Sequence, residues 1–188
     1  MTSKGVILTT AIVFLADGLE MCEGLLVVDI LRRAGVNVIT ASIMGKSVVT
    51  SSHNVQIKAD VLAEDVDFAA ADMVVLPGGK VGTAHLKENE LVRAACRSMA
   101  EAGKWVAAVC AAPSVLADLG LLEGKHATCH PVFEGQMRGA VLTGESVTVD
   151  GNFVTGQGLG ASLLFALQLA ELLTDEATAD KIAESICF

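Results

Sequence analysis

The sequence predicts an α/β fold, a mostly parallel β-sheet with helices on both faces. Short β-branched runs alternate with longer stretches of helical periodicity, and residues 11–41 read as a strand, a helix and a second strand, one βαβ unit. With 188 residues, 52% of them hydrophobic and 19% charged, the chain can fill a sizeable core, which argues against disorder and against a disulfide-stapled miniprotein. That length predicts one domain over residues 1–188.

Taken in order, the apolar run 6–16 reads as a buried strand centred on 11–15, and 22–34 as a helix stopped by Gly35. Residues 36–41 form the second strand, and 46–58 alternate apolar and polar around Ser51-Ser52-His53-Asn54 as a hairpin does. Residues 73–76 are a core strand that runs into Pro77-Gly78-Gly79, a turn that ends pairing and leaves backbone amides pointing outward. Leu91, Val92, Ala95 and Met99 give 90–101 helical spacing, with Gly103 as the stop, and 105–109 follow as another buried strand. The chain turns at Cys110, and Pro113 suits the first turn of a helix over 114–122. Residues 147–149 and 153–155 flank Asp150-Gly151-Asn152 as a hairpin, and the glycines of 156–160 open a last helix over 161–173.

Charge and cysteine usage narrow the function classes. Thirteen Lys and Arg against 22 Asp and Glu leave a net charge of −9, which repels a phosphate backbone or an anionic membrane surface, so neither nucleic acid nor membrane is expected as a partner. The run 6–16 has the length of a signal peptide, but no small-x-small cleavage site follows it, and Asp17 stops it short of a membrane span. Cys22, Cys96, Cys110, Cys129 and Cys187 are odd in number and contain no C-x-x-C, so the expected home is a reducing cytoplasm. The adjacent pair Cys129-His130 is too little for a metal site, and none is expected.

In an open α/β sheet, ligands sit beyond the carboxyl ends of the strands. The residues falling there are Glu20 and Glu23 after the first strand, Gly78 and Gly79 after the strand 73–76, Cys110 after the strand 105–109, and His130 in the next connection. A cysteine at a strand-to-helix elbow has its sulfur raised above the sheet, and helix-terminal amides favour its thiolate, an arrangement expected to hold its pKa below the free value of about 8.5. Ala108 and Ala112 supply the small residues that such an elbow wants two positions to either side. Glu23 under that sulfur would be desolvated and keep a proton for exchange; the competing reading is a helix cap. The amides of Gly79 and Ala111 can form an oxyanion hole, and His130 can shuttle protons, although a loop histidine is more often a solvated polar residue. The glycines at 156, 158 and 160 do not make a dinucleotide fingerprint, since they follow a late strand and lack the G-x-G-x-x-G spacing.

Glu23, Leu76-Pro77-Gly78-Gly79, the segment 107–113 around Cys110, and His130-Pro131 together resemble the DJ-1/PfpI family, and the similarity runs nearly end to end. The resemblance implies a flavodoxin-like three-layer sandwich, a homodimer and a cofactor-independent enzyme. It assigns Cys110 as nucleophile, Glu23 as its protonated partner and His130 as the nearby imidazole; Gly78, Gly79 and Ala111 are the residues expected around the oxyanion or substrate from their place at the strand ends. The activities implied are a glyoxalase that turns methylglyoxal into lactate and a deglycase acting on glycated groups. The alternatives are a redox sensor in which Cys110 is oxidised and a chaperone-like binding module. The protease branch of the family has a His after the cysteine where this chain has Ala111, which discounts proteolysis.

Overall fold

The computed structural model describes residues 9–188. Its centre is a sheet of seven strands. In chain order these are β1 (Thr10–Leu15), β2 (Asn37–Ser42), β5 (Val61–Leu62), β6 (Met73–Leu76), β7 (Trp105–Val109), β10 (Val147–Asp150) and β11 (Phe153–Gly156). They lie side by side as β10-β11-β7-β6-β1-β2-β5. All neighbours are parallel except β10 with β11, which form the antiparallel hairpin read at Asp150-Gly151-Asn152. The part of the run 6–16 before residue 9 lies outside the described residues.

Alternation along the strands builds two cores. Ile12, Phe14, Val74, Leu76, Val106 and Ala108 face one layer, which holds the helices α3 (Glu90–Glu101) and α4 (Pro113–Asp118). Ala11, Val13, Leu15, Val75, Ala107 and Val109 face the other, which holds α1 (Met21–Arg33), α5 (Ser162–Leu173) and α6 (Glu176–Ser185). Both faces of the sheet are therefore apolar, which is why the strands read as continuous hydrophobic runs. Phe14 and Phe165 are fully buried on opposite sides, and each such side chain contributes roughly 1.5–3 kcal/mol by leaving water. Among the described residues, no helix is long and apolar enough to cross a membrane.

Several elements depart from the sequence reading. A helix, α2 (Lys80–Glu88), follows directly from Pro77-Gly78-Gly79, where only a turn was expected; its buried side is short, Gly82, Thr83 and Leu86, and leaves little periodicity to read. The helix expected over 114–122 ends at Asp118, because Gly120 takes φ +73° and turns the chain. α6 was not foreseen, although Asp175 caps it by accepting the Thr178 N–H at 2.8 Å. A two-residue parallel pair, β8 (His126–Ala127) with β9 (Val141–Leu142), adds a small separate ribbon.

The hairpin expected over 46–58 is present as β3 (Val48–Thr50) and β4 (Gln56–Lys58), outside the main sheet. It grips the loop between β1 and α1 through backbone hydrogen bonds, Gly18 N–H to Thr50 O at 2.7 Å and Ser52 N–H to Leu19 O at 2.9 Å. Asp17 adds to the grip by accepting the Thr50 N–H at 2.7 Å. That loop sets where α1 begins, and hence where Glu23 points.

Candidate active site

Chain order reverses between β1 and β6: from β1 the sheet grows through β2 to β5, and from β6 it grows the other way through β7 to β11. A crevice opens at such a reversal, beyond the carboxyl ends of the strands. The residues after β1, β6 and β7 meet there. These are Glu23, the pair Gly78-Gly79, and Cys110.

Cys110 sits at φ +64°, a left-handed conformation that disfavours any residue with a Cβ. Such a residue costs on the order of 1–3 kcal/mol and persists only when its surroundings hold it. They do so at both ends: the Cys110 N–H donates to Gly156 O at 2.9 Å, and the Cys110 carbonyl accepts the His130 N–H at 2.9 Å. The elbow expected from Ala108, Cys110 and Ala112 is thus a strained turn pinned by β11 on one side and by the residue-130 loop on the other.

Glu23 lies in the first turn of α1 and is 1% exposed. Its Oε2 accepts the Gly78 N–H at 3.0 Å, and the carboxyl also hydrogen-bonds to the Cys110 thiol. Burial pushes the Glu23 pKa up to about 7, against the hydrogen bonds from Cys110 and Gly78 that lower it. The helix-cap reading is set aside, because the carboxyl reaches across to the β6 turn and to the sulfur.

Burial, and then the Glu23 carboxylate, push the Cys110 thiol up to about 12, while amides of Gly79 and Ala111 hydrogen-bonded to the sulfur pull it down. This corrects the expectation of a thiol held below its free value. The amides are in place, but α4 is only six residues long and the desolvation of a half-buried sulfur outweighs them. The repulsion from Glu23 applies only while Glu23 is ionised. When the shared proton sits on Glu23, the same group becomes a hydrogen-bond donor to sulfur, and the amides of Gly79 and Ala111 hold the negative charge on Cys110.

Gly78 and Gly79 have different tasks. The Gly78 N–H is occupied by Glu23, so this residue positions the carboxyl and does not offer its amide to a substrate. A Cβ on Gly78 would collide with Glu23 Oε2 and come within 2.6 Å of Cys110 Cβ. Gly79 takes φ +92°, which aims its amide at the sulfur.

His130 caps a short 3-10 turn over Pro131–Gln136, its Nδ1 accepting the Val132 N–H at 3.3 Å. The neutral ring then carries its proton on Nε2. It is partly exposed and stands between two clefts. One, of about 360 Å³, is lined by Lys80, Cys110, His130, Val132, Phe133 and Gln136. The other, of about 490 Å³, runs along Ser146, Gln157, Gly158 and Leu159.

Sequence reasoning missed Lys80, Val132, Phe133 and Gln136, because it foresaw neither α2 nor the 3-10 turn. It read Gly158 within the glycine run that opens the last helix and as part of a failed dinucleotide motif, not as a residue of the site. A Cβ there would stand 4.0 Å from Cys110 Sγ and 3.5 Å from His130 Cδ2, so this glycine keeps the sulfur open on that side. Glu20 takes no part in the pair; it accepts from Ser52 Oγ at 3.1 Å and lies 3.6 Å from His53 Nδ1. Cys22 is exposed beside buried Glu23, and Cys129 is buried with its thiol on the His130 carbonyl at 3.4 Å. Among the described residues, no group of three or more His, Cys, Asp or Glu is placed to hold a metal ion.

Comparison with known proteins finds similarity over most of the chain. Residues 9–172 match the DJ-1/PfpI family. The chain is 37% identical to protein dj-1beta of Drosophila melanogaster over 179 residues, 94% of this chain and 96% of that protein. The crystal structure of Drosophila melanogaster DJ-1beta superposes with a TM-score of 0.92 at 36% identity, covering 96% of this chain and 98% of the other. The structure of Toxoplasma gondii DJ-1, described as oxidized, gives a TM-score of 0.92 at 32% identity, over 96% and 98% of the two chains. Isonitrile hydratase of Pseudomonas putida is 37% identical over 136 residues, 71% of this chain and 58% of that enzyme.

Proposed function

Since this chain belongs to the DJ-1/PfpI family, we propose that it is a cofactor-independent cysteine enzyme acting on reactive carbonyls, converting methylglyoxal to lactate, with deglycation of glycated groups as related chemistry. The observation that carries this reading is the buried Glu23 carboxyl, hydrogen-bonded to the Cys110 thiol and with its pKa raised to about 7. A carboxyl that holds a proton near neutrality can give it up and take it back during one turnover.

The steps balance without any added redox partner. The Cys110 thiolate, its proton passed to Glu23, adds to the aldehyde carbon of methylglyoxal, and Glu23 gives that proton to the new oxyanion to form a hemithioacetal; the Gly79 and Ala111 amides are the donors available to that oxygen. Glu23, now a carboxylate, then removes the proton from the former aldehyde carbon and returns one to the neighbouring ketone carbon, while the hydroxyl proton passes from the first oxygen to the second. The first carbon is oxidised to a thioester and the second is reduced to an alcohol. Water cleaves the thioester, releasing lactate and restoring the Cys110 thiol, and His130, which lines the same cleft as Cys110, is the group that passes protons to and from solvent.

A redox reading rests on the same sulfur and on the similarity to a Toxoplasma gondii structure described as oxidized. One assay separates the two. Lactate formation from methylglyoxal without added thiol is measured for the wild type and for Cys110→Ser. Lactate from the wild type alone supports the enzyme, and none from either protein rejects it.

A further inference from the structure

The cleft above Cys110 carries one charge that the reaction leaves unused. Lys80 lines it together with His130, Val132, Phe133 and Gln136, and no carboxylate is among the lining residues. Lys80 is exposed and is the first residue of the nine-residue helix α2. The salt bridges of the described residues engage Arg32, Arg33, Lys46, Arg93 and Lys125 among the cations, and leave Lys80 without an acidic partner. In a chain of net charge −9, an ammonium without an acidic partner gives the lining of this cleft a positive charge.

The positive wall continues along the same helix. Lys87, two turns after Lys80, donates to Gln136 Oε1 at 3.4 Å. Gln136 is shared with an adjoining cleft of about 280 Å³ whose other lining residues include Lys87, Arg138 and Asp118. Asp118 is engaged by Arg93 at 3.0 Å, so a cationic excess remains.

We propose that Lys80 is a specificity-determining residue, which makes the Cys110 cleft select electrophiles bearing a carboxylate over neutral ones of the same shape. Resting on the carbonyl chemistry above, the favoured substrates are 2-oxoaldehydes whose far end is a carboxylate. With 4,5-dioxopentanoate as probe, the aldehyde carbon is oxidised to a carboxylate and the ketone carbon is reduced to an alcohol. One water is taken up and one proton released, giving 2-hydroxyglutarate.

Two measurements test this on the wild type, Lys80→Gln and Lys80→Arg at low ionic strength. The first is the ratio of Cys110 alkylation rates by iodoacetate and by iodoacetamide, which differ in charge but attack the same thiolate, so any change in thiolate fraction cancels. The second is the ratio of kcat/KM for 4,5-dioxopentanoate to that for methylglyoxal. Both ratios are expected to fall at least about threefold in Lys80→Gln and to stay within about a factor of two in Lys80→Arg. An alkylation ratio equal in all three proteins, or falling equally in both variants, overturns the proposal. If neither oxoaldehyde is turned over but the alkylation ratio shifts as expected, the role of Lys80 stands and the carbonyl reading fails. Turnover with an unshifted kcat/KM ratio overturns the role of Lys80 and leaves the carbonyl reading intact.

Discussion

His130 donates its backbone N–H to the carbonyl oxygen of Cys110 at 2.9 Å, so the imidazole at the mouth of the site is tied by its main chain to the strained residue at its base. Replacing the side chain leaves this link in place. His130→Ala is therefore expected to keep the Cys110 turn while losing the Nδ1 acceptor for Val132 N–H, a destabilisation of about 1 kcal/mol. His130→Asn restores a capping oxygen but supplies no proton carrier. Melting close to that of the wild type with turnover reduced tenfold or more in the Asn variant assigns the imidazole to proton transfer; full turnover in His130→Asn removes it from the chemistry.

The strain at Cys110 predicts an inverted order for two thiol-free variants. At φ +64°, alanine keeps the disfavoured conformation and glycine relieves it. Cys110→Gly should be more stable than Cys110→Ala by about 1 kcal/mol, a difference of roughly 2–4 °C in Tm for a chain of this size. Calorimetry of the pair decides it, and a more stable Ala variant would mean that the turn is not strained.

Glu23 links stability to pH with a definite sign. Its pKa is about 7 in the folded chain against 4.5 in an exposed one, so the folded state holds the proton more tightly. The stability this adds is complete below about pH 4.5 and is lost as pH rises through about 7, amounting to roughly 3 kcal/mol. Glu23→Gln lacks this dependence. The melting temperature of the Gln variant relative to wild type should climb between pH 4.5 and pH 8; a constant difference across that range would falsify the assignment.

The same pair governs thiol reactivity. In the wild type Glu23 loses its proton near pH 7, and burial together with the resulting carboxylate pushes the Cys110 thiol up to about 12, so Cys110 alkylation should go on rising well above neutral pH. In Glu23→Gln the carboxylate that helps push the thiol up is gone, and the midpoint should move downward. Rate against pH for both proteins, with peptide mapping to confirm Cys110 as the labelled residue, is the measurement. A midpoint that does not move would show that the two groups titrate independently.

Gly78→Ala places a Cβ against Glu23 Oε2 and within 2.6 Å of Cys110 Cβ. The cost expected is about 2 kcal/mol or more, together with loss of turnover, because the acid and the nucleophile must move apart. Gly135→Ala is the matched control, since nothing lies within 4 Å of a Cβ there, and its effect should stay within about 0.5 kcal/mol. Equal melting temperatures for the two variants would refute the close approach at Gly78.

The strand ends were legible because parallel strands buried on both faces announce themselves as apolar runs, and the residues just beyond them, Glu23, Gly79 and Cys110, could be collected without coordinates. α2 escaped because Gly82, Thr83 and Leu86 make a small buried side, and with it went Lys80. The proton balance was misjudged for a different reason. Helix-terminal amides can be inferred from strand-to-helix order, but the depth of Cys110 and the placement of Glu23 against it arise only from the packed layers.

Acid, amide donors and nucleophile come from three separate crossovers, after β1, β6 and β7, whereas Val132, Phe133 and Gln136 in the cleft wall come from a turn over Pro131–Gln136 that contributes no strand to the main sheet. Bond-making and choice of partner are thereby assigned to different stretches of chain. A lineage could rewrite what enters by altering that turn and the first residue of α2, leaving the inherited proton-sharing pair untouched.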